Sequence, residues 1–102
     1  MKLTRSRLAV ALALLDDPQA RQWGYELCKR AQIRSGVLYP ILNRFLEDGW
    51  LEDGWEDAKE ITEKRPPRRY YRLTDLGIRE LGGLVARAQN DVRFTAQPRW
   101  GV

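Results

Sequence analysis

Apolar residues fall at Leu38, Ile41, Leu42, Phe45 and Leu46, the i, i+3, i+4, i+7, i+8 spacing of a helix that buries one side. The pattern predicts a helix from Ser35 to Asp48, with Ser35 as its amino-terminal cap and Gly49 as its stop. The opposite side carries Gly36, Tyr39, Pro40, Asn43 and Arg44, with Val37 at its margin. Pro40 removes one backbone bond to Gly36, so an irregular or 3₁₀-like first turn is expected.

Two helices are predicted upstream. Thr4 can cap the first, about Arg5 to Leu15. Its run from Leu8 to Leu15 is apolar nearly all round, so it should be covered on more than one side, by another subunit or by this chain's own last helix. Asp16-Asp17-Pro18-Gln19 makes a loop. The second helix, about Arg21 to Ala31, would bury Gly24, Leu27, Cys28 and Ala31. Gln32-Ile33-Arg34 is then a three-residue turn, and the pair of helices around it forms a helix-turn-helix candidate.

Downstream the period changes. Trp50 to Asp57 and Arg69 to Leu73 read as two strands, the second with Tyr70 and Tyr71. Between them Ala58 to Arg68 is polar, charged and contains Pro66-Pro67, the composition of a projecting wing. Thr74 can cap a last helix, about Asp75 to Arg93, with Asp75 favourable to its dipole. Its apolar stripe is Leu81, Leu84, Val85, Ala88 and Val92, with Ile78 beside it. Gly82-Gly83 in mid-helix implies a kink or a close approach, since each glycine costs about 0.5–1 kcal/mol relative to alanine. Phe94 to Val102 reads as a tail.

The 102 residues suit one structural unit, with a winged helix-turn-helix part over 1–73 and a terminal helix and tail over 74–102. The fold class expected is mainly α (α+β): three amino-terminal helices, a two-stranded wing and a carboxyl-terminal helix. Net charge is +4, but its distribution says more. Lys64, Arg65, Arg68, Arg69 and Arg72 lie in one stretch without an acid, whereas six of the fourteen acids fall between Glu47 and Asp57. Such segregation points to an oriented electrostatic surface and a polyanionic partner.

One cysteine and no histidine leave no intrachain disulfide, no Cys- or His-ligated metal and no His-dependent catalysis. No cofactor is expected, and no catalytic constellation is present. Cys28 has the ordinary role of a small buried residue. The apolar run after Lys2, Arg5 and Arg7 is too short for a bilayer span and lacks a cleavage pattern, and the lack of disulfides suits a reducing cytoplasm, so a cytoplasmic protein is expected.

Several segments together resemble the PadR family of bacterial transcriptional regulators. Trp23-Gly24-Tyr25-Glu26-Leu27 resembles the family's Gly-Tyr-Glu-Leu segment. Gly36 to Arg44 resembles its Gly-Thr-Leu-Tyr-Pro-x-Leu-x-Arg signature, with Val37 in place of threonine. Glu47-Asp48-Gly49, Trp55-Glu56 and Arg68 to Gly77 fit the segments that follow. The resemblance implies a winged helix-turn-helix fold of the smaller subfamily and a homodimer formed largely through the last helix. It implies a transcription factor, most often a repressor, relieved in some members by a small ligand. Two departures are present: Arg65-Pro66-Pro67-Arg68 replaces the usual Gly-Arg-Pro-Arg of the wing, and Gly82-Gly83 is atypical.

On this reading Asn43 could read adenine and Arg44 guanine or a phosphate. Ser35 and Gly36 at the helix start suit phosphate, Tyr39 a phosphate or sugar, and the Val37 methyls thymine methyls. Pro40 shares that face. Lys64, Arg65 and Arg68 are the wing's expected backbone or minor-groove contacts. Arg69 and Arg72 lie in the strand, one to face DNA and the other an acid of the partner strand. The dimer contacts expected are Leu8, Leu12, Leu81, Leu84, Val85, Ala88 and Val92. The partners are then double-stranded DNA carrying a pseudo-palindromic operator, a second copy of the chain, and a small aromatic ligand if Trp23, Trp50, Trp55 and Trp100 line a pocket. The alternative is a winged-helix module that binds protein or small molecules without DNA.

Overall fold

A computed structural model describes residues 2–90. Its elements run α1 (Arg5–Leu15), β1 (Gln22–Trp23), α2 (Gly24–Ala31), α3 (Ser35–Glu47), β2 (Leu51–Trp55), β3 (Arg69–Leu73) and α4 (Asp75–Gln89). The three strands form an antiparallel sheet in the order β1-β3-β2. A single 3₁₀ turn, Ala58–Glu60, lies in the connection from β2 to β3.

Local chemistry sets most boundaries. The Thr4 hydroxyl accepts from Arg7 N at 3.1 Å and starts α1. Thr74 does the same for α4, accepting from Gly77 N at 3.0 Å. Gly49 adopts a positive φ of 74°, and Trp50 N then donates to Phe45 O at 2.9 Å, which closes α3.

Leu38, Leu42 and Phe45 of α3 are fully buried with Val10 and Leu14 of α1, Leu27 of α2, Leu51, Tyr71 and Leu73 of the sheet, and Leu81 and Val85 of α4. α1 therefore lies at the centre of the helical layer, packed on α2, α3 and α4. The second covering surface for its apolar run is this chain's own last helix. Leu12 alone of that run is left largely in solvent, at 45% exposure.

Several expectations are corrected. The residues Arg21 to Trp23 are not helical. Gln22 and Trp23 pair with Tyr71 and Tyr70 as β1, and α2 begins at Gly24. Gln22 is buried because its carboxamide donates to Leu14 O (2.9 Å) and Asp17 O (3.2 Å) while its oxygen accepts from Arg30 Nη1 at 3.3 Å. These bonds satisfy a carbonyl at the end of α1 that the helix cannot satisfy itself. The cap of α3 is Arg34, without a side-chain bond, and Ser35 is the first helical residue. Despite Pro40, α3 is α-helical from Ser35, and the Arg34 carbonyl accepts from both Val37 N and Leu38 N at 3.0 Å.

Helix α4 runs unbroken through Gly82 and Gly83, and among the described residues no atom lies within 4 Å of where a Cβ on Gly82 would sit. Neither a break nor a close approach among the described residues accounts for the pair. The end of the expected helix at Arg93, Val92 in its stripe and the tail with Trp100 lie outside the described residues.

Candidate nucleic-acid interface

The apolar and polar faces of α3 separate completely. Leu38, Ile41, Leu42 and Phe45 are buried, whereas Ser35, Gly36, Val37, Tyr39, Pro40, Asn43 and Arg44 are all exposed. The residues expected to read DNA thus lie together on one accessible surface. Helix α2 precedes it through a turn in which Gln32 adopts a left-handed φ of 56° and Ile33 N donates back to Cys28 O at 3.1 Å. That reversal aims α3 outward while Leu27 and Leu38 meet in the core.

Tyr39 reaches back toward α2. A Cβ placed on Gly24 would lie 2.3 Å from the Tyr39 hydroxyl, so the ring holds this position only beside a glycine and would have to swing away from any other residue there. Arg44 is held along the helix by Asp48, Nε to Oδ2 at 3.3 Å. At such an exposed pair the interaction is weak, so the guanidinium remains available to another anion.

The wing is built on Glu56. Its carboxylate accepts from Arg65 Nη1 (2.6 Å), Arg65 Nη2 (3.1 Å) and the backbone N of Arg68 (2.9 Å). The Glu56 amide returns a bond to Arg68 O at 2.9 Å. Hydrogen bonding from Arg65 is the main reason the Glu56 carboxyl is held down to about 2, well below the ordinary carboxylate value. The same contact pushes Arg65 upward. Arg65, expected at the DNA, is therefore folded into the base of the wing. Lys64 and Arg68 remain exposed.

Arg69 and Arg72 are both paired with acids of β2: Arg69 Nε to Asp53 Oδ2 at 2.8 Å, and Arg72 Nε to Glu52 Oε1 at 2.8 Å. One of the two was expected to meet an acid of the partner strand; both do, and both side chains stay about 40% exposed. Antiparallel register places Arg72 opposite Glu52 and brings Arg69 diagonally to Asp53. The acidic run is thereby neutralised along the ribbon instead of repelling a polyanion.

Among the described residues the tryptophans do not gather. Trp23 meets Tyr70 edge-on at 6.0 Å, Trp50 packs on Phe45 at 5.6 Å, and Trp55 is exposed on the ribbon. A different cleft is present, with a volume of about 650 Å³. It opens between the start of α2, Tyr39 of α3 and the root of β3. Tyr25, Arg68, Arg69 and Tyr71 line it with Trp23, Gly24, Glu26 and Tyr39. Arg69 lies over the Tyr71 ring at 5.1 Å, and burial pushes the Tyr71 phenol upward. Tyr25 and Gly24 were not singled out as site residues by sequence reasoning. The Gly-Tyr pair at the start of a helix was the available signal, but its meaning depends on where Tyr39 arrives.

Among the expected dimer residues, Leu81, Val85 and Ala88 are already buried in the single chain. Leu12 is exposed, and Leu8 and Leu84 are half-buried. Among the described residues, no acid or cysteine cluster could hold a metal ion, and no helix is long and apolar enough to cross a membrane.

Three helices, a helix-turn-helix pair with its second helix outward and a charged β-ribbon beside it define a winged helix-turn-helix protein of the DNA-binding class. The family description "Transcriptional regulator PadR-like family" matches residues 12–83. The chain belongs to this family and is a DNA-binding transcriptional regulator. Among solved structures it is similar to a PadR family regulator from Eggerthella lenta, with 28% identity over 83% of this chain and 76% of that one and a TM-score of 0.63. It shares its fold with a Streptococcus mutans protein, smu.1704 (24% identity, 88% and 85% covered, TM-score 0.67). The same holds for a PadR family regulator from Clostridium difficile (18% identity, 89% and 90% covered, TM-score 0.63). No curated protein sequence matched it.

Proposed function

We propose that the protein is a homodimeric repressor that reads a pseudo-palindromic operator in double-stranded DNA. The observation that carries this reading is the exposed face of α3, where Tyr39, Asn43 and Arg44 stand together while the opposite face is sealed in the core. Asn43 is the base reader, Arg44 contacts guanine or a phosphate, and Ser35, Gly36, Val37, Tyr39 and Pro40 shape the approach to the backbone. Lys64 and Arg68 contact the backbone or minor groove from the wing.

Of the expected dimer residues among those described, Leu8, Leu12 and Leu84 keep surface for a second copy. A dimer would place two recognition helices about 34 Å apart, in successive major grooves. The two segments, 1–73 and 74–102, act as one structural unit, located in the cytoplasm with the nucleoid. A small ligand relieves repression, and no metal or cofactor takes part.

Selection of genomic fragments with the purified protein, followed by titration at several salt concentrations, tests this reading. The expected result is an inverted repeat bound steeply with falling salt. Tyr39→Ala or Arg44→Ala proteins that stay folded and dimeric yet bind the selected fragment as well as wild type would refute the recognition assignment.

A further inference from the structure

An acid beside a surface that meets a polyanion ordinarily weakens binding through like-charge repulsion. Glu56 is such an acid, at the root of the wing, yet it accepts three hydrogen bonds. Its side chain is 16% exposed and that of its partner Arg65 is 23% exposed. The two pairs farther along the ribbon, Asp53 with Arg69 and Glu52 with Arg72, keep 36–49% of each side chain in solvent. Those are surface pairs of little worth, whereas Glu56 and Arg65 form a pair built into the wing.

The pair ties together distant parts of the loop. The Arg65 guanidinium meets Glu56 at the outgoing root, approaches Glu63 with Nε 3.5 Å from Oε2, and donates to Pro66 O at 3.3 Å on the return. The Glu56 carboxylate accepts from Arg68 N and the Glu56 amide donates to Arg68 O, so one residue holds the Arg68 backbone on both sides. Pro66 and Pro67 restrict φ between these points. Lys64 and Arg68 are therefore carried on backbone that the pair fixes, while their own side chains stay exposed.

We propose that Glu56 and Arg65 are positioning residues for DNA binding, which hold the wing in its binding shape before DNA arrives so that Lys64 and Arg68 meet the backbone without ordering the loop. Neither Glu56 nor Arg65 touches the nucleic acid. A preformed loop avoids the entropy lost when a flexible segment and its long side chains are immobilised at an interface. Glu56 keeps its charge as phosphates approach, because hydrogen bonding from Arg65 holds its carboxyl down to about 2. Arg65 stands where the family's wing motif has glycine, so the motif alone does not supply this lock. The positioning rests on the wing contacts proposed above, while the order of the free wing does not.

Charge and position predict opposite results. Glu56→Ala makes the protein more positive, Arg65→Ala makes it less so, and the double variant keeps the net charge of +4. Charge alone would tighten DNA binding in Glu56→Ala and leave the double variant like wild type. Positioning requires all three to bind about tenfold more weakly, with a salt slope lower by up to about 2 as Lys64 and Arg68 lose their phosphates. Fluorescence anisotropy on a selected fragment and on a mixed-sequence duplex measures both, with folding checked by circular dichroism; the loss should appear on both DNAs, since phosphate contacts carry no sequence.

Lys64→Ala should weaken binding in wild type and add little in Glu56→Ala, where the cation is already out of place. Unchanged or tighter binding by folded Glu56→Ala, or full additivity with Lys64→Ala, would overturn the positioning. If Lys64→Ala/Arg68→Ala alone leaves affinity and salt slope unchanged, the wing contacts fail and the positioning fails with them. Amide exchange without DNA reads the lock itself: the Glu56 N–H, bonded to Arg68 O, should exchange at least about tenfold faster in Arg65→Ala, although neither partner of that bond is replaced. An unchanged rate there overturns the lock whatever the DNA result.

Discussion

Replacement of Gly77 by alanine should destabilise the domain more than any other single glycine change. Gly77 begins α4 where the helix crosses the turn between α3 and β2. An added Cβ would sit 1.9 Å from Trp50 O and 2.7 Å from Trp50 C. Carbon and oxygen approach no closer than about 3.3 Å, so the two backbones must separate by about 1.4 Å at this point. That separation strains two bonds joining the same segments: Thr74 N to Trp50 O at 3.1 Å and Thr74 Oγ1 to Gly49 O at 2.7 Å.

Forced overpacking costs about 1–3 kcal/mol, and each weakened hydrogen bond about 1 kcal/mol. The better helix propensity of alanine offsets about 1 kcal/mol. The net expectation is a loss of about 2–4 kcal/mol, against a total near 5–15 kcal/mol for a domain. Urea denaturation followed by circular dichroism at fixed protein concentration measures it, with Gly82→Ala as the control. Around Gly82 no atom of the described residues lies within 4 Å of the new methyl, so that variant should gain up to about 1 kcal/mol from helix propensity. A Gly77→Ala midpoint equal to or above wild type, with unchanged slope, would refute the packing argument.

Three other outcomes are expected. Gly24→Ala should displace the Tyr39 ring, whose hydroxyl lies 2.3 Å from the new Cβ; operator affinity should fall by about tenfold or more, as for loss of a positioned contact, measured by fluorescence anisotropy. Lys64→Ala should weaken binding to all sequences alike and reduce the salt slope by about 1, whereas Asn43→Ala should cost about 1–3 kcal/mol mainly on the preferred site. The Glu56 carboxyl is depressed from 4.5 to about 2, so its stabilisation is present above pH 4.5 and declines as the pH falls toward 2. The difference in urea midpoint between wild type and Glu56→Gln should therefore be constant above pH 5 and shrink below it; a difference independent of pH would show that the Arg65 contact does not hold the wing.

Much of this architecture was legible in the chain because it depends on short-range chemistry. The α1 boundaries follow from Thr4 and the Asp16-Asp17-Pro18 break, and Thr74 marks the start of α4 by the same hydroxyl cap. The α3 face could be assigned because a period of 3.6 with five apolar residues admits only one buried side. All six residues placed on the other side or at its margin are exposed. The β3 span was readable from Arg69-Tyr70-Tyr71-Arg72-Leu73, whose adjacent tyrosines favour a strand and which is bounded by Pro67 and Thr74. Together with the ordered family motifs, these features were enough to indicate a winged helix-turn-helix regulator.

Other features depended on which distant groups meet. Two residues carry no detectable period, so Gln22 and Trp23 became a strand only because β3 offered a free edge. Charge along the chain showed a basic run and an acidic run, but only the β2–β3 register and the fold of the wing decided that Arg65, Arg69 and Arg72 face acids while Arg68 lines a cleft. The apolar stripe of α4 looked the same whether it met a partner or α1; packing buried Leu81, Val85 and Ala88 within the chain. Periodicity records that a face is covered, but what covers it depends on the packing of segments remote in sequence, and so do the engagement of the arginines and the cleft beside Tyr39.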